Sequence, residues 1–263
     1  MKQTNHQLFD FLDFDPALKG YEALWKSCAP VEAFSDGHDV VFEIPFQKQI
    51  VSSDIVPDYE SGRKNYFLRL RAYGNRILRI GIGFNVKPMP DSSMLEISGS
   101  LKVKPLLYEK DDAGWRVMDS EGTVRACLNR RPVVTDHWSD LIPPPEETLD
   151  LSFFPERGKE IKLSAYDQFF PSHQDAFPLA FVEKEGKCNR VTMSFHARPD
   201  EMFAGTGERF ASMDLSGHTF ELKNQDGQGV NSRRTYKNIP FFIFKQDVWD
   251  IHAYIRIFEI FNC

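Results

Sequence analysis

The sequence predicts an all-β protein built as a sandwich of antiparallel sheets. Many short runs are rich in β-branched and aromatic residues, turn-forming residues separate these runs, and no convincing long amphipathic helix interrupts them. The chain has 263 residues, of which 41% are hydrophobic and 13% aromatic, which is sufficient for a buried core. A β-sandwich can use a chain of this length as one domain.

The N-terminal part of the chain is mixed in character. We interpret residues 1–38 as an irregular segment with one short helix around residues 16–26. From Asp39 the pattern becomes that of strands, beginning with the β-branched and aromatic run at residues 40–44. We expect this first strand to end at Pro45, because proline lacks the N–H that a sheet ladder uses.

A β-hairpin is predicted next. The runs at residues 66–72 and 76–82 alternate between apolar and polar positions, and Gly74 and Asn75 lie in the turn between them. Residues 142–147 contain three consecutive prolines and are interpreted as a surface loop. Further strands are predicted at residues 94–103, 115–118, 123–128, 160–166, 179–184 and 190–197.

Composition and charge exclude several classes of partner. The formal net charge of −6 gives no basic surface for nucleic acid or for an anionic membrane. No apolar run approaches the ~18 residues that a membrane-spanning helix needs. We therefore expect no nucleic-acid or membrane partner. Because residues 1–10 contain no apolar secretory core, we expect a cytoplasmic location.

Motifs for metals, nucleotides and a serine nucleophile are weak or absent. The pairs at Gly205-Thr-Gly207 and Gly81-Ile-Gly83 lack the third glycine of a dinucleotide loop, and no Gly-x-Ser-x-Gly elbow occurs. We therefore expect no metal and no cofactor, and no catalytic residue can be assigned. The cysteines are too widely spaced for a zinc site and are interpreted as free thiols of a reducing compartment: Cys28, Cys127, Cys188 and Cys263.

The most informative segment is residues 199–243. It contains a glycine-punctuated turn, a predicted strand at residues 218–222, a polar glycine-rich loop at 224–232 and an aromatic strand that begins at Tyr236. Planar amides and carboxylates can bind vicinal hydroxyl groups, and aromatic rings can stack on sugar faces. The segment therefore suits a polyhydroxylated ligand, although an ordinary long hairpin loop has a similar composition.

Five motifs follow one another in this segment: Pro199-Asp-Glu201, Gly205-x-Gly-Glu-Arg-Phe210, Asp214-x-x-Gly217, Asn224-x-Asp226 and Tyr236-Lys-Asn-Ile-Pro-Phe-Phe242. Together they resemble the signature of the N-terminal β-sandwich domain of glycoside hydrolase family 31, which includes α-glucosidases and α-xylosidases. The last two motifs are most similar to the α-xylosidase branch. The resemblance implies a galactose-mutarotase-like supersandwich of antiparallel sheets over residues 39–243.

The resemblance also implies roles for individual residues. In the family a (β/α)₈ barrel follows the sandwich, and the Asn-x-Asp loop reaches over the barrel mouth to contact the sugar. Asn224 and Asp226 are therefore the expected substrate-binding residues, with a carbohydrate (an α-glycoside) as the ligand. The remaining motif residues are expected to be structural: Glu208 and Arg209 as a buried or semi-buried charge pair, and Lys237 and Asn238 as residues that fix the loop.

The sequence departs from the family after Phe242-Ile243, and only 24 residues follow Ile239. A barrel needs about 250 residues, and the nucleophilic and acid/base aspartates of the family lie on it. We therefore expect a non-catalytic domain that is inactive alone, whose exposed barrel-facing surface binds a catalytic barrel or self-associates. Residues 244–263 are atypical, and a one-nucleotide shift near codon 244 can restore the family pattern. The hypothesis is a frameshift that truncated a longer glycosidase gene.

Two other functions remain open. One is a free-standing sugar-binding protein, whose aromatic platform could come from Phe169, Phe170 and Phe177 in loop sequence. The other is a mutarotase-like enzyme on the same fold, which would need a general base and a general acid facing one sugar. The residues supply no recognisable pair of that kind, and a shared fold does not by itself establish a shared function.

Overall fold

The computed structural model describes residues 23–49, 62–75, 77–87, 101–132, 147–154, 160–163, 178–193, 201–208, 213–216, 237–247 and 250–256. No α-helix occurs within these ranges, and therefore none that could span a membrane. The chain divides into two compact units, Met1–His196 with Cys263, and Ala197–Asn262. Every described strand pair is antiparallel, which confirms the predicted all-β fold.

Sixteen strands are described, and they are numbered in chain order. Those of the first unit are β1 (Ala23–Ser27), β2 (Glu32–Asp36), β3 (Asp39–Gln49), β4 (Arg63–Tyr73), β5 (Ile77–Gly83), β6 (Val103–Lys104), β7 (Leu106–Lys110), β8 (Gly114–Asp119), β9 (Val124–Pro132), β10 (Glu147–Phe153), β11 (Ile161–Leu163), β12 (Leu179–Lys184) and β13 (Lys187–Met193). Those of the second unit are β14 (Met202–Gly207), β15 (Asn238–Asp247) and β16 (Asp250–Arg256).

The strands of the first unit form two sheets. The eight-stranded sheet has the order β13-β12-β1-β3-β4-β5, with β2 beside β3 and β6 beside β4. The five-stranded sheet has the order β11-β10-β9-β8-β7. The second unit contains a three-stranded sheet with the order β14-β15-β16.

The core of the first unit lies between its two sheets. Alternate residues of β3 and β4 point toward the five-stranded sheet, and Phe42 and Leu68 among them are fully buried. The ring of Phe42 meets that of Trp115 on β8 edge to face, with 6.1 Å between the ring centroids. Leu128 and Leu151 contribute from the five-stranded sheet. The first unit is therefore a β-sandwich with one continuous apolar core.

The N-terminal prediction requires two corrections. Residues 23–26, expected in a helix, belong to strand β1, which pairs with both β3 and β12; the rest of the predicted helix lies outside the described residues. The first long strand does not end at Pro45, since β3 continues to Gln49. Proline lacks an N–H but keeps its carbonyl, and the Pro45 oxygen accepts a hydrogen bond from the Cys28 amide at 2.8 Å.

The predicted domain limits differ from the strand pattern at both ends. Strand β2 lies before residue 39, yet it pairs with β3 from Glu32 to Asp36 and so belongs to the eight-stranded sheet. Strand β15 runs across residue 243 to Asp247, and β16 follows it. The described part of residues 244–263 is therefore β-strand.

The predicted hairpin is confirmed, because β4 pairs with β5 from Phe67↔Gly83 to Tyr73↔Ile77. Strands also occur at the predicted positions of β8, β9, β11, β12, β13 and β15. Four predicted features lie wholly or largely outside the described residues. They are the strand at residues 94–103, the loop at 142–147, the strand at 218–222 and the aromatic platform of Phe169, Phe170 and Phe177.

Candidate functional site

The predicted sugar-contact loop begins and ends on one β-hairpin of the second unit. Strand β14 pairs with β15 from Met202↔Lys245 to Gly205↔Phe242, and pairing resumes at Gly207↔Asn238. The chain between these last two residues therefore leaves and returns at the same end of the sheet. Both predicted sugar-binding residues, Asn224 and Asp226, belong to this segment and lie outside the described residues.

The base of this loop is closed by two contacts between Glu208 and Lys237. The Glu208 amide donates a hydrogen bond to the Lys237 carbonyl at 3.2 Å. The Lys237 Nζ lies 2.8 Å from Glu208 Oε1, and the two side chains are 53% and 66% exposed, respectively. A backbone bond and an ion pair thus hold the two ends of the loop together, which agrees with the expected role of Lys237.

The prediction for Glu208 needs correction in one respect. Its described ionic partner is Lys237 on the opposite side of the loop, and the pair is exposed to solvent. Arg209, the expected partner, lies outside the described residues. The sequence does not reveal this pairing directly, because 29 positions separate the two residues. The register of β14 against β15 brings them together.

A backbone irregularity lies immediately before the closure. Gly205, Thr206 and Gly207 have φ values of 121°, 65° and 98°, and the strand register shifts between the two glycines. Glycine tolerates positive φ, whereas a β-branched residue such as threonine adopts it at a cost. The opposite strand contains Pro240, which lacks an N–H for regular pairing. The shift leaves Thr206 opposite residues 239–241, so the extra residues of this irregularity lie on β15.

A short turn from inside the loop returns to β14. Asp214 Oδ1 accepts a hydrogen bond from the Ser216 amide at 2.9 Å, which is an Asx turn. The Leu215 amide donates to the Phe203 carbonyl at 2.7 Å, and the Leu215 side chain is buried. The Asp214-x-x-Gly217 motif thus begins with a structural turn. Sequence reasoning did not identify this docking point, although aspartate followed by serine two positions later is a recognisable turn signal.

The charged clusters of the first unit are structural networks. The buried Asp39 carboxylate contacts Arg69 Nη1 at 2.7 Å and Arg71 Nε at 2.8 Å. The hydrogen bonds that Arg71 donates to the Asp39 carboxylate raise the pKa of Arg71 above its usual value. Glu183 accepts hydrogen bonds from the Trp25 indole and from Lys64, each at 2.6 Å. The Asp39 and Glu183 carboxylates thus each accept hydrogen bonds from cationic or N–H donors of the eight-stranded sheet.

Metal-ligating and thiol chemistry receive no support from the described residues. Within them, no group of three or more His, Cys, Asp or Glu side chains is arranged to hold a metal ion. Cys28 and Cys127 are free thiols, and burial raises the pKa of each. A raised pKa leaves little of the reactive thiolate at neutral pH.

Comparison with known proteins connects this hairpin to a family. The family model described as the glycosyl hydrolase 31 N-terminal galactose mutarotase-like domain matches residues 68–249. The chain belongs to this family. The match begins within β4 and includes the whole of β14, the loop closure and β15. It therefore confirms the resemblance predicted from the motifs of residues 199–242.

A curated relative agrees with this membership of the glycosyl hydrolase 31 N-terminal domain family. Alpha-xylosidase XylQ of Lactiplantibacillus pentosus is 32% identical to the chain over 84 residues. The match spans 32% of this chain and 11% of the relative's length. The chain thus resembles a small part of a much longer glycosidase.

Proposed function

We propose that the chain is a non-catalytic, carbohydrate-contacting domain of an α-glycosidase of the α-xylosidase or α-glucosidase kind. The observation that carries the proposal is the closed base of the loop that contains Asn224 and Asp226. The ion pair of Glu208 and Lys237 holds both ends of that loop on one hairpin. Family membership and the similarity to an alpha-xylosidase support the same function.

In the proposed function, this domain contacts the sugar and a separate catalytic barrel performs the hydrolysis. The Asp226 carboxylate would accept hydrogen bonds from sugar hydroxyl groups, and the Asn224 amide can both donate and accept. Hydrogen bonds to an ionised carboxylate are among the stronger ones in proteins. The barrel would supply the nucleophile and the acid/base that retaining hydrolysis requires. The domain would thus shape one wall of the sugar pocket.

Binding and turnover by the 263-residue chain test this proposal. We expect no hydrolysis of p-nitrophenyl α-xyloside or α-glucoside, and weak calorimetric binding of xylose or glucose, with Kd on the order of 1 mM. Asp226→Ala and Asn224→Ala should each weaken binding, whereas Glu109→Ala should not. Glu109 is a matched control because it is an exposed acidic residue on β7 of the first unit.

Three results would contradict the proposal in different ways. Hydrolysis that survives repurification and is lost in Asp226→Ala would show that the chain itself is a glycosidase. Accelerated interconversion of sugar anomers, followed by polarimetry, would favour a mutarotase-like enzyme. Absence of sugar binding at millimolar concentration would remove the sugar-contact role of Asn224 and Asp226.

A further inference from the structure

Thr206 combines two unfavourable features within strand β14. Its φ of 65° lies in the left-handed region, which a β-branched residue adopts at a cost because its Cβ crowds the backbone. Its hydroxyl oxygen is buried and has no hydrogen-bond partner among the described residues. A buried hydroxyl group without a partner also lowers stability, since water no longer solvates it. The fold therefore accepts two separate costs at one residue.

The one other described non-glycine residue with a positive φ has a local explanation. Glu185 has a φ of 54° and forms, with Gly186, the two-residue turn between β12 and β13. Tight hairpin turns of this length commonly require a positive φ at both central residues. Glu185 is also exposed, so water solvates its side chain. Thr206 lies within a strand and is half-buried, so neither explanation applies to it.

The strand pairing on both sides of Thr206 holds it in this conformation. Before it, Gly205 is opposite Phe242, and after it, Gly207 is opposite Asn238. Three residues of β15 therefore lie opposite Thr206 alone. Because the pairing is fixed on each side, the backbone between the two pairs has few alternatives, and strain at Thr206 persists while this pairing lasts.

Glycine at position 206 would avoid both costs, because it adopts a positive φ freely and has no hydroxyl group. The flanking residues Gly205 and Gly207 are already glycines, however. The chain would then enter the loop through three consecutive glycines, each with a wide range of backbone conformations. Threonine narrows this range, because its branched Cβ excludes most of it. Thr206 thus limits the directions in which the chain leaves β14.

We propose that Thr206 is a positioning residue for the loop that contains Asn224 and Asp226. It acts through its branched Cβ, which restricts the backbone where the loop begins, and its hydroxyl group has no part in binding. A restricted loop loses less conformational freedom when it binds a ligand, so the restriction raises affinity without a new contact. The effect on sugar affinity rests on the proposed function, whereas the restriction of the loop does not.

Replacement by glycine should change stability and loop restraint in opposite directions. Thr206→Gly removes the strain and the buried hydroxyl group, so it should raise the urea midpoint of the 263-residue chain. The same variant should increase the rate of trypsin cleavage at Arg233 and Arg234, and raise the calorimetric Kd for xylose, each by about two- to fivefold. A residue with a merely structural role would change stability and loop protection in the same direction.

Two conservative variants separate the branched Cβ from the hydroxyl group. Thr206→Val keeps the branch without the hydroxyl, so the cleavage rate and the Kd should remain at their wild-type values. Thr206→Ser keeps the hydroxyl without the branch, so it should increase both quantities, by less than glycine does. Glu185→Gly is the matched control, since it also places glycine at a positive φ, and it should change neither quantity.

The outcomes distinguish this inference from the proposed function, with circular dichroism checking that each variant is folded. A Thr206→Gly variant with a lower urea midpoint, wild-type resistance to trypsin, or unchanged affinity for a sugar that the wild-type chain binds would overturn the positioning role. Loss of binding in Thr206→Val with retention in Thr206→Ser would also overturn it, because the hydroxyl group would then contact the sugar. If the wild-type chain binds no sugar, the proposed function fails, and the cleavage rates and urea midpoints alone decide the role of Thr206.

Discussion

The two units differ in how much of their described surface is buried. In the first unit, residues from both sheets meet in one apolar core, and side chains such as Phe42 and Leu128 have no exposed area. In the second unit, all six residues of β14 are half-buried, and Leu215 is the one buried hydrophobic residue among those described. Burial therefore stabilises the first unit, and the described contacts that define the hairpin of the second unit are the Asp214 turn and the loop closure.

The largest expected effect comes from removing a core side chain of the first unit. Phe42→Ala should lower the free energy of unfolding by about 3–5 kcal/mol, because it leaves a cavity against Trp115. Met213→Ala in the second unit is the contrasting change, since Met213 is 82% exposed and should alter stability by less than about 0.5 kcal/mol. Urea denaturation measures both. Similar losses in the two variants would contradict the comparison.

A buried ion pair should give a slightly smaller effect in the same unit. Arg125 and Asp119 are almost fully buried, with 3.6 Å between Nη1 and Oδ2, and Arg125 Nε and Nη2 have no hydrogen-bond partner among the described residues. Asp119→Asn keeps an oxygen for the Thr123 amide but leaves the cation unpaired, which should cost about 3 kcal/mol.

The double variant Asp119→Asn/Arg125→Met is the matched control for this ion pair. It replaces both charges, so it should recover most of the lost stability. Urea denaturation of the single and double variants measures the difference. If Asp119→Asn alone is harmless, the buried charge does not matter for the stability of the first unit.

The loop closure of the second unit should contribute much less to stability. Because Glu208 and Lys237 are exposed, a double-mutant cycle with Glu208→Gln and Lys237→Met should give a coupling energy below about 1 kcal/mol, and salt should reduce it. The same variants should increase the rate of trypsin cleavage at Arg233 and Arg234 within the loop. Unchanged cleavage would show that this ion pair does not restrain the loop.

Many strands of the first unit could be predicted, because the alternation of apolar and polar residues that identifies them lies within each strand. The alternation at residues 66–72 and 76–82 identified the β4–β5 hairpin directly. Strand β10 has the same alternation, with Leu149, Leu151 and Phe153 buried, and the prediction could have included it. Strand β1 could not be predicted in this way, because its residues suit a helix and its partners β3 and β12 are distant in the sequence.

The structure of the candidate site was harder to predict from the sequence, because it depends on how two strands pair. Gly205-Thr-Gly207 carries no alternation, and the irregular pairing there arises from extra residues on the opposite strand, which include Pro240. The family motifs located the loop and its two expected ligands, but the ion pair between Glu208 and Lys237 follows from strand register, which the motifs do not encode. Patterns of residue type thus predicted where the loop lies in the sequence, whereas the pairing of Glu208 with Lys237 across the hairpin required the structure.

The smallest expected effect uses Cys28 and Cys127, two half-buried thiols of the first unit. Burial raises the pKa of Cys28 and Cys127, so the folded chain holds these protons more tightly than the unfolded chain. Their contribution to stability is therefore complete below the unfolded pKa of about 8.5 and is lost as pH rises through the folded pKa.

Urea denaturation between pH 7 and 10 measures this contribution. The free energy of unfolding should fall over this range by less in Cys28→Ala/Cys127→Ala than in the wild-type chain, after allowance for the lost side-chain volume at pH 7. Labelling with an aromatic disulfide should be slow until the first unit opens, and Phe42→Ala should accelerate it. Rapid labelling of Cys28 and Cys127 in the folded chain at neutral pH would show that the reagent reaches these thiols without unfolding. Burial would then protect the first unit less than the structure indicates.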